Sequence, residues 1–448
     1  MPRFEAPAMN GESLVAAAIL ALVPSLAAAA PLQTDDANVA SPTRRELEEL
    51  RRRVAELERQ RSGQQPAEVN LALDQLPALF AVDEGQALAR PWYQNIDLWG
   101  FGAFDFLDTG DAGTSPEGGF LVKETTLHIE AHAWENVSFY SEFQMNRLGQ
   151  DATKFTRTGE VHAHFRDIFG DQGPKVGLKV GRIDIPFGDE YLEQDSIDNP
   201  LISNSAPYPY GFDEGVVVYG TWSGVGWITS LTDGTDERSI EDDPAKAFTA
   251  KVYGSPLRGI DLSASLLKNG DSAESALEFG GSHLEPVGAG GTSTAGTSPS
   301  DKVDALLYEL DACCTLGRRA RLALALGQGQ VDDEVNVFDR DLTWFRIEPR
   351  YDLCEKVYLV LRWSEIGTYD SDEGYHFDGK TLAGGNAAFG YDTKSFRRLS
   401  AGVGWRPNPH TIVKLEVGQD TFEVIDASPL DPGDQDRQFF GFELVLSF

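Results

Sequence analysis

The sequence predicts an all-β chain: a transmembrane, antiparallel, up-and-down β-barrel of about sixteen strands, preceded by a short helical coiled-coil segment. Three observations lead there. From Asn95 to the end, apolar side chains recur with period two, as on a strand whose faces see different surroundings. Along that stretch short turns alternate with long polar loops. The chain then closes on one apolar stripe, Phe440, Phe442, Leu444, Leu446 and Phe448, interleaved with Gly441, Glu443, Val445 and Ser447.

Composition agrees. A mean hydropathy of −0.30 excludes a bundle of membrane helices but not a barrel, which needs one apolar face per strand. Forty-five glycines and 10% aromatic residues suit many strands joined by tight turns and bounded by aromatic girdles. The net charge of −33 argues against a nucleic-acid partner. Three cysteines are too few for a disulfide framework.

Residues 1–29 read as a signal peptide: an apolar run from Leu14 to Leu22, then Pro24 and the small residues Ala27 to Ala30. The alternative, a single membrane anchor, is disfavoured because the run is short and broken by proline. Residues 30–62 are polar and contain the coiled-coil segment at 44–60, where Leu47, Leu50, Val54 and Leu57 fall at heptad spacing. About two heptads cannot hold a coiled coil alone; an oligomeric barrel would supply the missing local concentration, and the alternative is a lone solvated helix. Residues 63–94, with scattered Pro and Gly, read as a linker to the barrel at 95–448.

Within the barrel, strands are expected near 95–107, 120–133, 136–146, 159–168, 175–183, 214–221, 224–232 and 246–254 in the first half. The second half follows near 260–268, 303–312, 319–329, 341–351, 356–366, 396–406, 411–420 and 437–448. The third strand shows the pattern best: Val137, Phe139, Phe143 and Met145 share one face, Tyr140, Glu142 and Gln144 the other. Long loops at every second connection mark the external side of such a barrel, and short turns the periplasmic side.

The segment Gly181-Arg182-Ile183-Asp184-Ile185-Pro186-Phe187-Gly188-Asp189-Glu190, with Asp213-Glu214-Gly215-Val216-Val217-Val218-Tyr219-Gly220 beyond a long loop, resembles the phosphate-selective porin O/P family. The aromatic carboxy-terminus likewise resembles the assembly signal of bacterial outer-membrane barrels. These resemblances imply a bacterial outer-membrane location, lipid as a partner, a homotrimer of sixteen-stranded barrels and an open pore. They also imply that the third long loop, 184–213, folds into the lumen; the alternative is an external acidic loop. That loop carries Asp184, Asp189, Glu190, Glu193, Asp195 and Asp198, with no Lys or Arg before Asp213.

If the leucines and aromatics of the later strands face lipid, then Arg346, Arg350, Arg362, Arg398, Arg406 and Lys414 face the lumen. A charge on the lipid face would cost about 2–4 kcal/mol at the midplane. The expectation is therefore an acidic constriction loop facing a basic pore wall, which sets a transverse field across a water-filled gap. The function expected is passive diffusion of ions and small hydrophilic solutes. An anion- or phosphate-selective channel is the alternative in which the arginines dominate. A plugged structural barrel, tethering the membrane to the periplasm through the coiled coil, is the alternative of another kind.

Other constellations are weaker. His128, His132, Glu124 and Glu130, and the pair His162 and His164, place imidazoles on single strand faces, but no third ligand is specified and no metal or other cofactor is expected. Cys313, Cys314 and Cys354 lie in expected periplasmic turns, where an oxidising compartment permits Cys354 to bond Cys313 or Cys314. No Gly-x-Ser-x-Gly elbow, His-Glu-x-x-His pair or phosphate-binding glycine loop occurs, so no enzymatic activity is expected.

Overall fold

The computed structural model describes residues 95–109, 117–145, 157–170, 173–193, 195–207, 209–234, 245–272, 278–279, 282–283, 303–333, 340–368, 375–376, 392–424 and 435–448. The signal peptide and coiled coil expected at 1–29 and 44–60 lie outside these residues.

Sixteen antiparallel strands form one closed barrel. They are β1 Ile96–Asp108, β2 Gly119–Trp134, β3 Val137–Gln144, β4 Arg157–Phe165, β5 Val176–Asp184, β6 Phe212–Trp222, β7 Val225–Thr232 and β8 Ala247–Leu257. The circuit continues with β9 Ile260–Ser272, β10 Val303–Leu316, β11 Ala320–Asp333, β12 Arg340–Cys354, β13 Val357–Gly367, β14 Asp392–Asn408, β15 Thr411–Val424 and β16 Gln435–Ser447. Each pairs with its sequence neighbours, and β1 closes on β16 from Phe101↔Ser447 to Asp108↔Phe440. Closure leaves no free edge.

Several strands run past their expected ends on the side of the long connections. Strand β9 reaches Ser272 and β11 reaches Asp333, through the sequences Asn269-Gly270-Asp271-Ser272 and Gln330-Val331-Asp332-Asp333. The ladder continues there although the apolar alternation has stopped, so the sequence carries no signal for it. One bulge bears on the interior of the barrel. Ala103 pairs with Glu124 and Phe104 with Val122, so Lys123 is an extra residue in β2. Such a bulge re-aims side chains. Here the consecutive Lys123 and Glu124 both reach the third long connection, Lys123 through Ile202 O and Glu124 through Ser196 N.

The barrel is polar inside and apolar outside. On β13, Tyr358, Arg362 and Ser364 are buried while Leu359, Leu361 and Trp363 are exposed. On β15, Lys414, Glu416 and Asp420 are buried while Leu415 and Val417 are exposed. Exposed aromatics gather beside the short turns (Trp134, Phe169, Trp222, Tyr351, Trp405, Phe448) and again nearer the other rim (Phe104, Phe120, Phe143, Phe248, Trp363, Phe440). Water does not tolerate so large an apolar belt on a single chain, whereas a bilayer requires one.

The disulfide that the sequence permitted does not form: Cys313, Cys314 and Cys354 are free thiols. Cys313 and Cys314 pair with Ala323 and Leu322 on β11, and Cys354 lies beyond that strand on β12. Two strand spacings alone separate them by at least about 10 Å, against the ~7 Å that a disulfide spans. Protein denatured without reductant should therefore take up alkylating reagent at all three cysteines, read by peptide mass. Protection of Cys354 together with one partner would contradict the register.

Candidate functional site

The connection between β5 and β6, residues 185–211, is built into the barrel by its own sequence. Ile185 and Phe187 are buried with Leu267, Leu307, Trp344 and Ile366 of the inner wall. At Gly188 the chain takes φ +68°, and an added Cβ would lie 2.2 Å from Glu309 Oε1. Gly188 N donates to Ser265 Oγ at 3.1 Å, and its carbonyl accepts from Lys251. The Pro186-Phe187-Gly188 turn thus seats an aromatic plug and brings backbone against the wall where no larger residue fits. Further on, Leu201 packs with Tyr358 and Val360, and Ile202 with Leu107 and Phe439.

Polar anchors complete the seating. Glu416 accepts Ile202 N at 2.6 Å, Ser203 N at 2.8 Å and Ser203 Oγ at 2.5 Å. Arg362 donates to Ser203 O at 2.6 Å, to Asn199 Oδ1 at 3.0 Å and to Glu348 at 2.5 Å. Arg398 donates to Asn204 O at 2.9 Å and to Asp420 at 2.7 and 2.8 Å. Lys414 reaches Leu201 O at 3.2 Å and Ser196 O, and pairs with Glu443 at 2.6 Å. Tyr358 OH donates to Pro200 O, and Ser364 Oγ accepts Ala206 N. Wall side chains from β2, β8, β9 and β13–β15 therefore hold the backbone of this one connection.

The acids singled out in the sequence divide. Asp189 pairs with Lys251 at 2.5 Å and accepts Ser263 Oγ at 2.9 Å. Glu190 accepts Ser205 N and Oγ and lies 3.6 Å from Arg346. Glu193 bridges Arg321 at 2.9 Å and Arg346 at 3.3 Å. Asp195 and Asp198 make no ion pair among the described residues. Asp184 ends β5, its N–H donating to Glu160. The bases divide too. Arg346, Arg362, Arg398 and Lys414 are buried and engaged with the connection. Arg350 pairs with Asp352 at 3.1 Å, and both it and Arg406 stack on Tyr358.

Eight strands round the barrel from β11 and β12, the wall of β2–β5 has another character. It carries Glu124, Glu130, Glu142 and Glu160, with Arg166 on Glu130 and Lys179 on Glu160 at 3.3 Å. Trp99, His128, Tyr140, His162, His164 and Tyr219 form a chain of ring contacts at centroid spacings of 5.2, 6.0, 5.2, 6.0 and 5.8 Å. His128 Nδ1 lies 2.6 Å from Tyr140 OH. Glu416, Asp420, Arg437 and Glu443 are not singled out by the sequence, though period two puts Glu416 on the same face as Lys414. Their partners sit on neighbouring strands or on the connection, which no local pattern specifies.

No protein-family model and no curated protein sequence matches this chain. Solved structures do match. OmpT, an outer membrane protein of Vibrio cholerae, aligns at TM-score 0.54 and 12% identity over 79% of this chain and 97% of that one. The outer membrane channel DcaP of Acinetobacter baumannii gives 0.53 and 11% over 79% and 97%. An anion-selective porin from Comamonas acidovorans gives 0.51 and 11% over 79% and 99%. At such identities the likeness concerns the fold: this chain shares its closed antiparallel barrel with outer-membrane proteins that include channels and porins.

Proposed function

We propose that this chain is an outer-membrane porin through which ions and small hydrophilic solutes diffuse passively, with residues 185–211 as its constriction and a preference for cations. One observation carries the reading most of the way: a closed barrel with charged residues inside and an apolar, aromatic-edged belt outside, threaded by a connection anchored on its inner wall. The channel fold of the similar structures supports it.

The preference for cations follows from where charge is neutralised. Arg346, Arg362, Arg398 and Lys414 are matched by Glu190 and Glu193, Glu348, Asp420 and Glu443 respectively, beneath the connection. The wall of β2–β5 keeps more acids than bases, and Asp195 and Asp198 add to it. A solute path bordered by uncompensated carboxylates concentrates cations. For the same reason the resemblance of residues 181–190 to phosphate-selective porins is carried over for the barrel, not for phosphate. A homotrimer is proposed with it, since one of the similar Vibrio cholerae structures is a trimer form. Export by residues 1–29 and a coiled coil at 44–60, joining three copies, complete the proposal.

Single-channel recording of purified protein in a planar bilayer under a potassium chloride gradient tests it. Open channels with a cation-signed reversal potential are expected. An anion-signed potential with block by phosphate would transfer the role of filter to the arginines. Silent insertions would sink the channel and leave the structural tether.

A further inference from the structure

Between the connection and strands β7–β12 lies a cavity of about 450 Å³, roofed by Asp189–Glu193 and reaching Ser255, Asp261 and Arg321 beside the short turns. Its volume falls in the range of small-molecule sites. Charge in it is sorted. The Arg321 side chain is 43% exposed and holds Glu193 at 2.9 Å. Arg346 stands behind it, buried, with Nε lacking a hydrogen-bond partner among the described residues.

The acids differ. Asp261 is bonded by the Ser255 hydroxyl, and Asp311 by the Ser263 hydroxyl at 3.1 Å. Asp311 is 4% exposed, and its Oδ1 has no hydrogen-bond partner among the described residues. A carboxylate buried so deeply costs several kcal/mol unless something cationic answers it. Of the cations in the lining, Lys251 is already held by Asp189 and by Gly188 O, and Arg346 by Glu190 and Glu193. Tyr191, Tyr253 and Ile228 supply the apolar part of the lining.

We infer that this cavity binds free α-amino acids with apolar side chains. The ammonium is received on the side of Asp311 and Asp261. The carboxylate takes the exposed Arg321 fork, a planar donor suited to it, in place of Glu193. The side chain lies against Tyr191 and Tyr253. A zwitterion meets both the unpartnered Asp311 Oδ1 and the exposed Arg321 fork, whereas a simple cation leaves Arg321 to Glu193 alone and a simple anion leaves Asp311 Oδ1 unmet. Occupancy has to be weak, because a solute that a channel passes must also leave. Such an amino acid is then a solute of the channel proposed above, and its assignment rests on that reading.

The wild-type protein in a planar bilayer is offered L-leucine, its amide (ammonium only) or 4-methylpentanoate (carboxylate only), and current fluctuations are recorded in potassium chloride. Leucine is expected to interrupt the current saturably, with each analogue weaker by about tenfold or more. Asp311→Asn should weaken leucine by a similar factor. Equal interruption by the amide would make this a plain cation site, and by 4-methylpentanoate a plain anion site; either overturns the inference. So does potassium chloride current that leucine leaves unchanged, while the channel itself stands. If insertions are silent the channel reading fails. Equilibrium binding of labelled leucine to detergent-solubilised protein then still decides the cavity, since no saturable uptake would refute it.

Discussion

Asp420→Ala will destabilise the barrel by about 3–5 kcal/mol and loosen its constriction, because two buried guanidinium groups lose their counter-charge at once. Asp420 is fully buried on β15, bonded by Arg398 at 2.7 and 2.8 Å and by Arg437 at 2.5 Å. Arg398 in turn holds Asn204 O and lies over the rings of Phe396 and Phe439. Removing the carboxylate therefore reaches the connection through one intermediary. The temperature at which folded protein converts to the slow-migrating unfolded band on gels should fall by several degrees. Single-channel current should become larger and noisier as residues 199–205 lose their fixed seat. Glu423→Gln on the same strand is the control. Its partner Lys394 is 3.7 Å away and both side chains are well exposed, so little change is expected. An Asp420→Ala barrel with wild-type melting and wild-type current would show that the triad anchors nothing.

How much of this is legible in the sequence depends on the length scale of each feature. The strands are legible because a wall with lipid on one side and water on the other imposes alternation residue by residue. Leu359, Leu361 and Trp363 outside force Tyr358, Val360, Arg362 and Ser364 inside. The bulge is not legible: one extra residue at Lys123 breaks the period and hides a lysine that binds both Ile202 O and Glu443. Pairings are not legible either. Arg362 finds Glu348 one strand away and Ser203 far along the chain, and only the register brings them together. The acidic run of the connection is visible as charge, but half of that charge is neutralised. Asp189, Glu190 and Glu193 lie against Lys251, Arg346 and Arg321. Meanwhile Glu142 and Glu160 read as ordinary polar positions of a strand, although both lie on the wall that keeps an excess of acid.

That division sets the second large effect. Replacing Glu142 and Glu160 by glutamine and Asp195 by asparagine should lower the potassium-over-chloride permeability ratio by about tenfold or more, equivalent to ~1.4 kcal/mol. Charges this close to a narrow path are screened less than surface charges, since the ~10 Å Debye length at 0.1 M salt exceeds the gap between wall and ion. The triple change also unmasks Lys179, which Glu160 otherwise holds at 3.3 Å, and a newly exposed cation pushes selectivity the same way. Acidification should imitate the variant in wild-type protein. Burial pushes the Asp195 carboxyl well above the usual carboxylate range, and Glu124, Glu142, Asp198 and Glu160 push it further. Asp198 is raised by burial against the pull of Lys414 and Arg406. A raised carboxyl takes up its proton at a higher pH than a free one, so as pH falls these two charges vanish before an ordinary aspartate near 4 would titrate. Reversal potentials measured down a pH series should therefore lose their cation sign early in the wild type and shift less in the triple variant, which keeps only Asp198 of the two. A ratio that survives the triple substitution would place the selective field elsewhere, beneath the connection among the engaged arginines.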